Sequence, residues 1–386
     1  MPDVPRSSRF ALRLTHVLAG LLTWSVSLAQ TATPLPTLIE ESVRQNPDVA
    51  VARARVAAAD ARIAPAGALD DPMAEAGIVN APLAPFSLRR EEMTMQMLGL
   101  SQRVPFPGKR GLRTDVARGD AEALRATALD TRDQVLRELR LNYEELAAAD
   151  AERPVLEAMR ATLEEYVTVA ETRYAVGSAA QTDVLQAETQ LARLRQQILE
   201  LGRRRVELQA ALAQLAGREP TTPAIEAKTQ TLEPPAQPLA ALLAGSADRP
   251  RAAALEAERE RARSQVALTQ REFYPDFDIK LSYGRRERAP DGMPRDDMIS
   301  LTVGVNLPIW RRQRLEPQVA EARAMVAERE AMLNALRLET IAQLTQRHAA
   351  AEQARRSVEL YDTALLPAAS AAVSSAEASY RVGRID

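Results

Sequence analysis

The sequence contains two copies of one pattern, and this duplication limits the possible folds more than any other feature. Three landmarks recur in the same order at nearly the same spacing. The pairs are Pro47 and Pro250, 203 positions apart; Pro105 and Pro308, also 203 positions apart; and the Tyr-x-x-Gly motifs at 174–177 and 380–383, 206 positions apart. This spacing predicts two repeats with the same order of secondary structure.

The landmarks also predict how the chain is divided. Residues 30–216 form the first repeat, and residues 239–386 form the second. Between them, residues 217–238 are rich in proline and poor in apolar side chains, which predicts an extended linker. Each repeat is expected to contain a helix, a β-hairpin and a long helix that ends at a turn.

Long stretches of both repeats have apolar residues at alternating spacings of three and four. Between Asp120 and Val176 there is no glycine, and Pro154 is the single proline. The second repeat is equally free of glycine from 318 to 382 and contains only Pro367. This spacing is typical of coiled coils, so the helices need partner helices rather than a globular core. Each proline is expected to bend or break its helix.

Four shorter segments alternate between apolar and polar residues, which is the period of a β-strand. The predicted strands cover residues 73–79, 93–104, 277–283 and 299–307. Such strands fit either a half-buried soluble sheet or a transmembrane barrel. We favour the barrel, because a sheet between helical rods has no other layer to cover it. Four strands are too few to close a barrel, so several copies of the chain must share it.

Residues 1–29 have the features of a secretory signal peptide. Arg6, Arg9 and Arg13 precede an apolar run, and Ala29 completes a small-x-small cleavage pattern. The run is shorter than the about 20 apolar residues of a membrane anchor. The sequence therefore predicts an exported chain that does not cross a membrane as a helix.

The composition argues against most enzymes. The chain has no cysteine and two histidines, which excludes disulfides, cysteine-ligated zinc and a lipidated N-terminal cysteine. Neither histidine lies in a nucleophile motif, so we expect no catalytic site, no metal site and no cofactor. The formal net charge is −2, so the charge balance offers no attraction for nucleic acid.

Three groups of side chains need an interpretation. Met93, Met95 and Met97 could be soft ligands for Cu(I), although a lipid-facing or packing stripe is favoured. Lys109 and Arg110 follow a predicted strand at the membrane boundary, where long basic side chains can extend to the interface. The cluster at 203–205, three consecutive arginines, is predicted to be a solvated helix face.

Two motifs carry a resemblance to a known family. They are SQRVPFPGKR at residues 101–110, between a strand and a helix, and YAVGSAAQTDVL at residues 174–185, at a helical turn. Together with the duplication, they resemble the TolC-like outer-membrane efflux proteins over nearly all of residues 35–386. The PFPGKR form is similar to the branch that serves heavy-metal efflux.

The resemblance implies a mostly α fold with a small β part. Long antiparallel coiled-coil helices would form a periplasmic α-barrel, and four strands per chain would contribute to a shared β-barrel of a homotrimer in outer-membrane lipid. It also implies two partners, a periplasmic adaptor and an inner-membrane pump of the resistance-nodulation-division type. The chain would then be a passive exit duct for metal ions or drugs. The alternative function is a periplasmic coiled-coil adaptor or scaffold without a pore.

The resemblance places the tunnel gate and the adaptor contact at the two helical turns. The implied residues are Tyr174, Gly177, Gln181, Thr182, Asp183, Tyr380, Gly383, Arg384 and Asp386. Asp183 can either accept a hydrogen bond from Tyr380 of an adjacent hairpin or cap its own helix. The second repeat stops within its turn, without the counterpart of residues 184–216, so we expect the sequence to be a fragment.

Overall fold

A computed structural model describes residues 34–220, 225–228 and 237–381 of the chain. The predicted signal peptide lies outside the described residues. The helices in this part are α1 (Leu35–Gln45), α2 (Pro47–Ala66), α3 (Lys109–Ala175), α4 (Gln181–Ala216), α5 (Leu239–Ala244), α6 (Pro250–Arg271), α7 (Glu316–Leu360) and α8 (Leu366–Arg381). The strands are β1 (Met73–Val79), β2 (Met95–Val104), β3 (Phe277–Arg285) and β4 (Met298–Val305). The fold is therefore mostly helical with a small sheet, as predicted.

The long helix of the first repeat, α3, contains 67 residues and extends about 100 Å at 1.5 Å per residue. It continues through Pro154, so of the predicted bend or break the break is wrong, and the bend stays a prediction. Residues 151–155 are exposed, and water can therefore reach the backbone there. In the second repeat, a π-helical turn, Tyr361–Leu365, separates α7 from α8 and immediately precedes the helical turn of Pro367.

The two hairpins form one four-stranded antiparallel sheet in the order β1-β2-β3-β4. Strand β2 pairs with β3 along residues 96–104, which joins the hairpin of the first repeat to that of the second. The hairpins are therefore not isolated from each other. Strands β1 and β4 form the edges of the sheet, and each has one side unpaired within the described residues.

The helices lie side by side in the same order as the strands that they precede or follow. Helix α3 packs against α2, α4 and α6, and α6 also packs against α7. The main apolar cluster lies where α1, α3 and α4 meet and includes Leu38, Leu139 and Leu212, all fully buried. Ile225 and Ala227 are also buried in this cluster, so part of the proline-rich segment is attached to the helices. None of the described helices is long and apolar enough to be a membrane-spanning helix.

Candidate functional site

The sheet has one polar face. In the register of the strands, Glu75 lies opposite Gly99, and Ser101 lies opposite Lys280, which in turn lies opposite Thr302. Residues opposite each other in an antiparallel sheet point to the same side. The Lys280 ammonium forms an ion pair with Glu75 across β2, which is possible because both side chains occupy this face. A row of charged and hydroxyl side chains therefore crosses all four strands.

The other face of the sheet is apolar and exposed. In β4 the exposed fractions are 76% for Ile299, 69% for Leu301 and 56% for Val303. Leu281 and Leu100 continue this face on the neighbouring strands and are about half exposed. A wide apolar surface that no part of the described chain covers is typical of a surface that contacts lipid or another protein. The separation of faces matches that of a barrel wall.

The register changes the interpretation of the methionines. Met97 lies opposite Gly77 and Gly284, and these three residues share the face of Glu75 and Lys280. Met95 is on the same face, and its thioether covers Gly284, where a Cβ atom would lie 2.5 Å from Sδ. The predicted lipid-facing position is therefore wrong for both residues, because their strand partners put them on the polar face. Packing, the other part of that interpretation, fits Met95.

The strand-to-helix junction between β2 and α3 contains a buried lysine. Lys109 is fully buried, and its Nζ donates to Asp276 Oδ1 at 2.7 Å, to the Tyr274 carbonyl at 3.1 Å and to Glu272 Oε2 at 3.2 Å. All three partners belong to the segment between α6 and β3. The predicted extension of Lys109 to the membrane interface is therefore wrong, since its charge is satisfied inside the protein. We call this set the Lys109 junction.

The lysine fixes the ionisation of its partner. Burial, the largest influence, would raise the pKa of Asp276, but the hydrogen bonds from Lys109 and from the Phe106 amide and the charges of Lys109 and Arg113 outweigh it. The pKa of Asp276 therefore lies below its ordinary value of 3.8. A carboxylate with these donors is charged at neutral pH and holds the two repeats together.

Local backbone geometry brings the lysine to this place. Gly108 has φ 91°, a left-handed conformation that glycine adopts without strain, and it turns the chain from β2 into α3. Beside it, the Phe106 ring stacks on Tyr274 with the ring centroids 4.7 Å apart. The PFPGKR motif thus forms the corner at which α3 meets the sheet.

The three arginines at 203–205 do not form a purely solvated face. Arg205 Nε lies 2.5 Å from Asp150 Oδ1, with both side chains about four-fifths buried, and Arg204 lies 3.2 Å from Glu145. Both carboxylates belong to α3. The Arg205–Asp150 pair joins α4 to α3, so the prediction of a solvated cluster is wrong for Arg205. Arg203 and Arg204 are exposed, as predicted.

The helical tip of the first repeat is a tight turn between α3 and α4. Gly177 has φ 74°, and its amide donates to the Tyr174 carbonyl at 2.9 Å. The Ala180 amide donates to Asp183 Oδ2 at 3.1 Å, so the Asp183 carboxylate caps the start of α4. Thr182 and Gln181 are exposed at the same tip.

The structure leaves the second predicted tip mostly undescribed. Tyr380 lies in the last turn of α8, but its side chain is outside the described residues, as are Gly383, Arg384 and Asp386. Within the described residues, no group of three or more histidine, aspartate or glutamate side chains is arranged to hold a metal ion.

Sequence reasoning missed Glu272 and Asp276, the carboxylates of the Lys109 junction. They are 163 and 167 residues from the lysine, so no local spacing connects them. The duplication was the one feature of the sequence that could have indicated them, because two similar repeats are expected to place their strand-to-helix junctions side by side.

The chain is similar to known proteins in both sequence and fold. The model of a family described as "Outer membrane efflux protein" matches residues 38–218 and 246–386, which is most of both repeats. A relative from Alcaligenes xylosoxydans xylosoxydans, the "Nickel-cobalt-cadmium resistance protein NccC", is 26% identical over 338 residues, covering 87% of this chain and 74% of that protein.

Solved structures share the fold at low identity. The outer membrane protein VceC of Vibrio cholerae superposes with a TM-score of 0.73 at 23% identity, covering 90% of this chain and 86% of VceC. The CmeC outer membrane channel of Campylobacter jejuni superposes with a TM-score of 0.71 at 16% identity, covering 97% of this chain and 86% of CmeC.

Proposed function

Because the chain belongs to the outer membrane efflux protein family, we propose that it is the homotrimeric exit duct of a heavy-metal efflux system. The family consists of non-enzymatic channels in the outer membrane, which work with a periplasmic adaptor and an inner-membrane pump. The family match favours this function over the alternative of a periplasmic adaptor or scaffold without a pore.

The observation that carries the proposal is the two-faced sheet with open edges. An apolar outer face, such as that around Leu301, suits lipid, and a polar inner face, such as that around Lys280 and Glu75, suits a water-filled passage. Closing such a sheet requires more strands than the four of one copy. Three copies supply twelve, which is the number we propose.

We propose heavy-metal ions as cargo and a pump of the resistance-nodulation-division type as the energy source. The support is the 26% identity to a protein named for nickel, cobalt and cadmium resistance, together with the PFPGKR corner. The charged polar face of the sheet fits hydrated ions, which need no apolar pocket.

We further propose that the tip at residues 174–183 contacts the adaptor. It lies at the far end of α3, about 100 Å from the sheet by the helix rise. Residues 30–216 and 239–386 would then act as two equivalent tunnel repeats, and residues 217–238 would connect them.

A pair of substitutions on adjacent strand positions tests the barrel. Leu301→Arg should destabilise the membrane-inserted protein by about 2–4 kcal/mol near the bilayer midplane, whereas Thr302→Arg on the polar face should be tolerated. The measurement is the denaturant midpoint of protein folded into lipid vesicles. Equal effects at the two positions would contradict the assignment of faces.

The cargo is tested in a strain that lacks this chain. Restoring the chain should restore resistance to nickel, cobalt or cadmium but leave sensitivity to apolar drugs unchanged. Restored drug resistance without metal resistance would overturn the proposed cargo and leave the channel itself intact. Planar-bilayer conductance measures the pore separately.

A further inference from the structure

The residues equivalent to the Lys109 junction are divided between the two edges of the sheet: a basic residue follows β4, and an acidic residue precedes β1. We propose that Arg312 of one copy binds Asp71 of the next copy, and that this pair completes at the subunit boundary the junction that Lys109 and Asp276 form within the chain. The inference rests on the proposed ring of copies and adds the residues that close it.

The repeat offset identifies the basic half. Pro308 follows Pro105 by 203 positions, and the same offset relates Arg312 to Lys109. Lys109 is the first residue of α3, and Arg312 lies in the π-helical turn Arg311–Leu315 that leads into α7. Both basic residues therefore lie between the end of a strand and the start of a long helix.

The strand registers identify the acidic half. Met73 of β1 lies opposite Ser101 of β2. Gly304 follows Ser101 by the same 203 positions, and its partner on β3 is Asp278. Met73 is thus equivalent to Asp278. Counting two residues back from this pair, Asp71, just before β1, is equivalent to Asp276, just before β3.

Both halves are free in the single chain. Arg312 and Asp71 are exposed, and neither forms an ion pair within residues 34–220, 225–228 and 237–381. The sheet order places Asp71 before β1 at one edge and Arg312 after β4 at the other edge, both at the end that faces the helices. Opposite charges at equivalent heights on two open edges fit a head-to-tail ring.

The apolar part of the junction has a counterpart too. Phe106, which stacks on Tyr274, is equivalent to Ile309, and Tyr274 is equivalent to Leu69. Ile309 is 69% exposed and Leu69 is 41% exposed in the single chain. In a ring of copies, Ile309 of one copy would pack against Leu69 of the next, and both side chains would be covered.

The same equivalence gives the strand pairing between copies. Leu100 lies opposite Leu281 at the centre of the sheet. Val303 is equivalent to Leu100 and Ala76 to Leu281, so Val303 of one copy should lie opposite Ala76 of the next. Both residues lie on the apolar face of their own chain. The inferred register therefore continues the apolar face without interruption, and a shift by one residue would not.

The absence of cysteine allows a direct test in the full chain. Arg312→Cys combined with Asp71→Cys should form a disulfide between copies on mild oxidation of outer membranes, giving covalent dimers and trimers in denaturing gels. The matched control is Arg314→Cys with Asp71→Cys, because Arg314 is exposed on the same turn and should give little product. Equal cross-linking of both pairs, or none from either in protein that is still oligomeric, would overturn the inferred pairing.

Charge reversal tests whether the pair contributes to assembly. Arg312→Asp and Asp71→Arg should each lower the ratio of oligomer to monomer by at least about tenfold in native mass spectra, and the double variant should recover most of the loss. Arg314→Asp with Asp71→Arg should not recover it.

Two further outcomes distinguish the pair from a lipid contact and from a failure of the ring. If Arg312→Asp weakens binding to vesicles of phosphatidylglycerol and leaves the oligomer unchanged, Arg312 contacts lipid headgroups and the pairing is wrong. If the unsubstituted chain is a monomer in the membrane, the ring itself fails. A ring that forms equally well in every charge variant refutes only the pair.

Discussion

The two strand-to-helix junctions occupy equivalent positions in the repeats, yet their basic residues have opposite surroundings. Lys109 is fully buried among three acceptors, whereas Arg312 is exposed and without an ion pair in the described part of the chain. Their backbones differ as well, because Gly108 turns directly into α3 and Arg311 begins a π-helical turn. Within the described residues, the junction is thus complete only at Lys109, where the second repeat of the same chain supplies the acceptors.

The largest effect is expected from removing the buried lysine. Lys109→Met should destabilise the chain by about 3 kcal/mol, because Asp276 and Glu272 lose their shared cation and remain partly buried. Arg312→Met should change the stability of a single copy by less than about 0.5 kcal/mol, as usual at an exposed position. Thermal unfolding in detergent, under conditions that disperse the copies, measures both. Similar losses would refute the contrast between the junctions.

The second prediction uses the pH dependence of the same junction. Asp276→Asn should cost about 1–2 kcal/mol at neutral pH, because the hydrogen bond from Lys109 loses one of its charges. The folded pKa of Asp276 is lowered, so its contribution is present above the unfolded pKa and is lost as the pH falls through the folded pKa, which lies below 3.8.

Unfolding curves of the two proteins should therefore differ at pH 7 and converge below about pH 4. Asp71→Asn is the matched control, since the equivalent aspartate is exposed in the single copy and should show no such convergence. If the difference in unfolding free energy stays the same below pH 4, the effect of Asp276→Asn comes from altered packing or hydrogen-bond geometry rather than from the lost charge.

The contrast also explains which features the sequence could predict. Alternation located all four strands to within two residues at every end, and apolar spacing located the long helices. Both are local signals that depend on residues two to four positions apart. The sheet order and the burial of Lys109 depend on contacts more than 160 residues apart, which no local pattern reports.

The methionines show the same limit at the scale of one strand. Alternation put Met95 and Met97 on one side of β2, but it could not say which side was polar. Their partners Gly77 and Gly284, and their neighbours Glu75 and Lys280, determine that face. The tip was easier to predict, because its glycine turn and capping aspartate lie within ten residues of each other.

Apart from the controls, the smallest effect on stability is expected at the helical tip of the first repeat. Asp183 Oδ2 accepts the Ala180 amide, and this cap accounts for one carboxylate oxygen. Oδ1 lies 3.5 Å from the Thr182 hydroxyl, which is a weak contact and leaves room for another donor. The predicted gate needs Tyr380 of an adjacent hairpin to donate to this oxygen, so the cap and the predicted gate do not exclude each other.

The two roles differ in what their loss changes. Asp183→Ala should cost about 1 kcal/mol, because α4 loses a cap at its exposed N-terminus. If the carboxylate also holds the tunnel mouth, Asp183→Ala combined with Tyr380→Phe should raise single-channel conductance in planar bilayers, and we predict that rise. Asp183→Asn is the control, since its amide oxygen can keep the cap while the charge that strengthens a tyrosine hydrogen bond is gone. It should melt like the unsubstituted protein and conduct more. Unchanged conductance in every variant, with lowered melting for Asp183→Ala alone, would leave Asp183 as a helix cap and place the gate elsewhere.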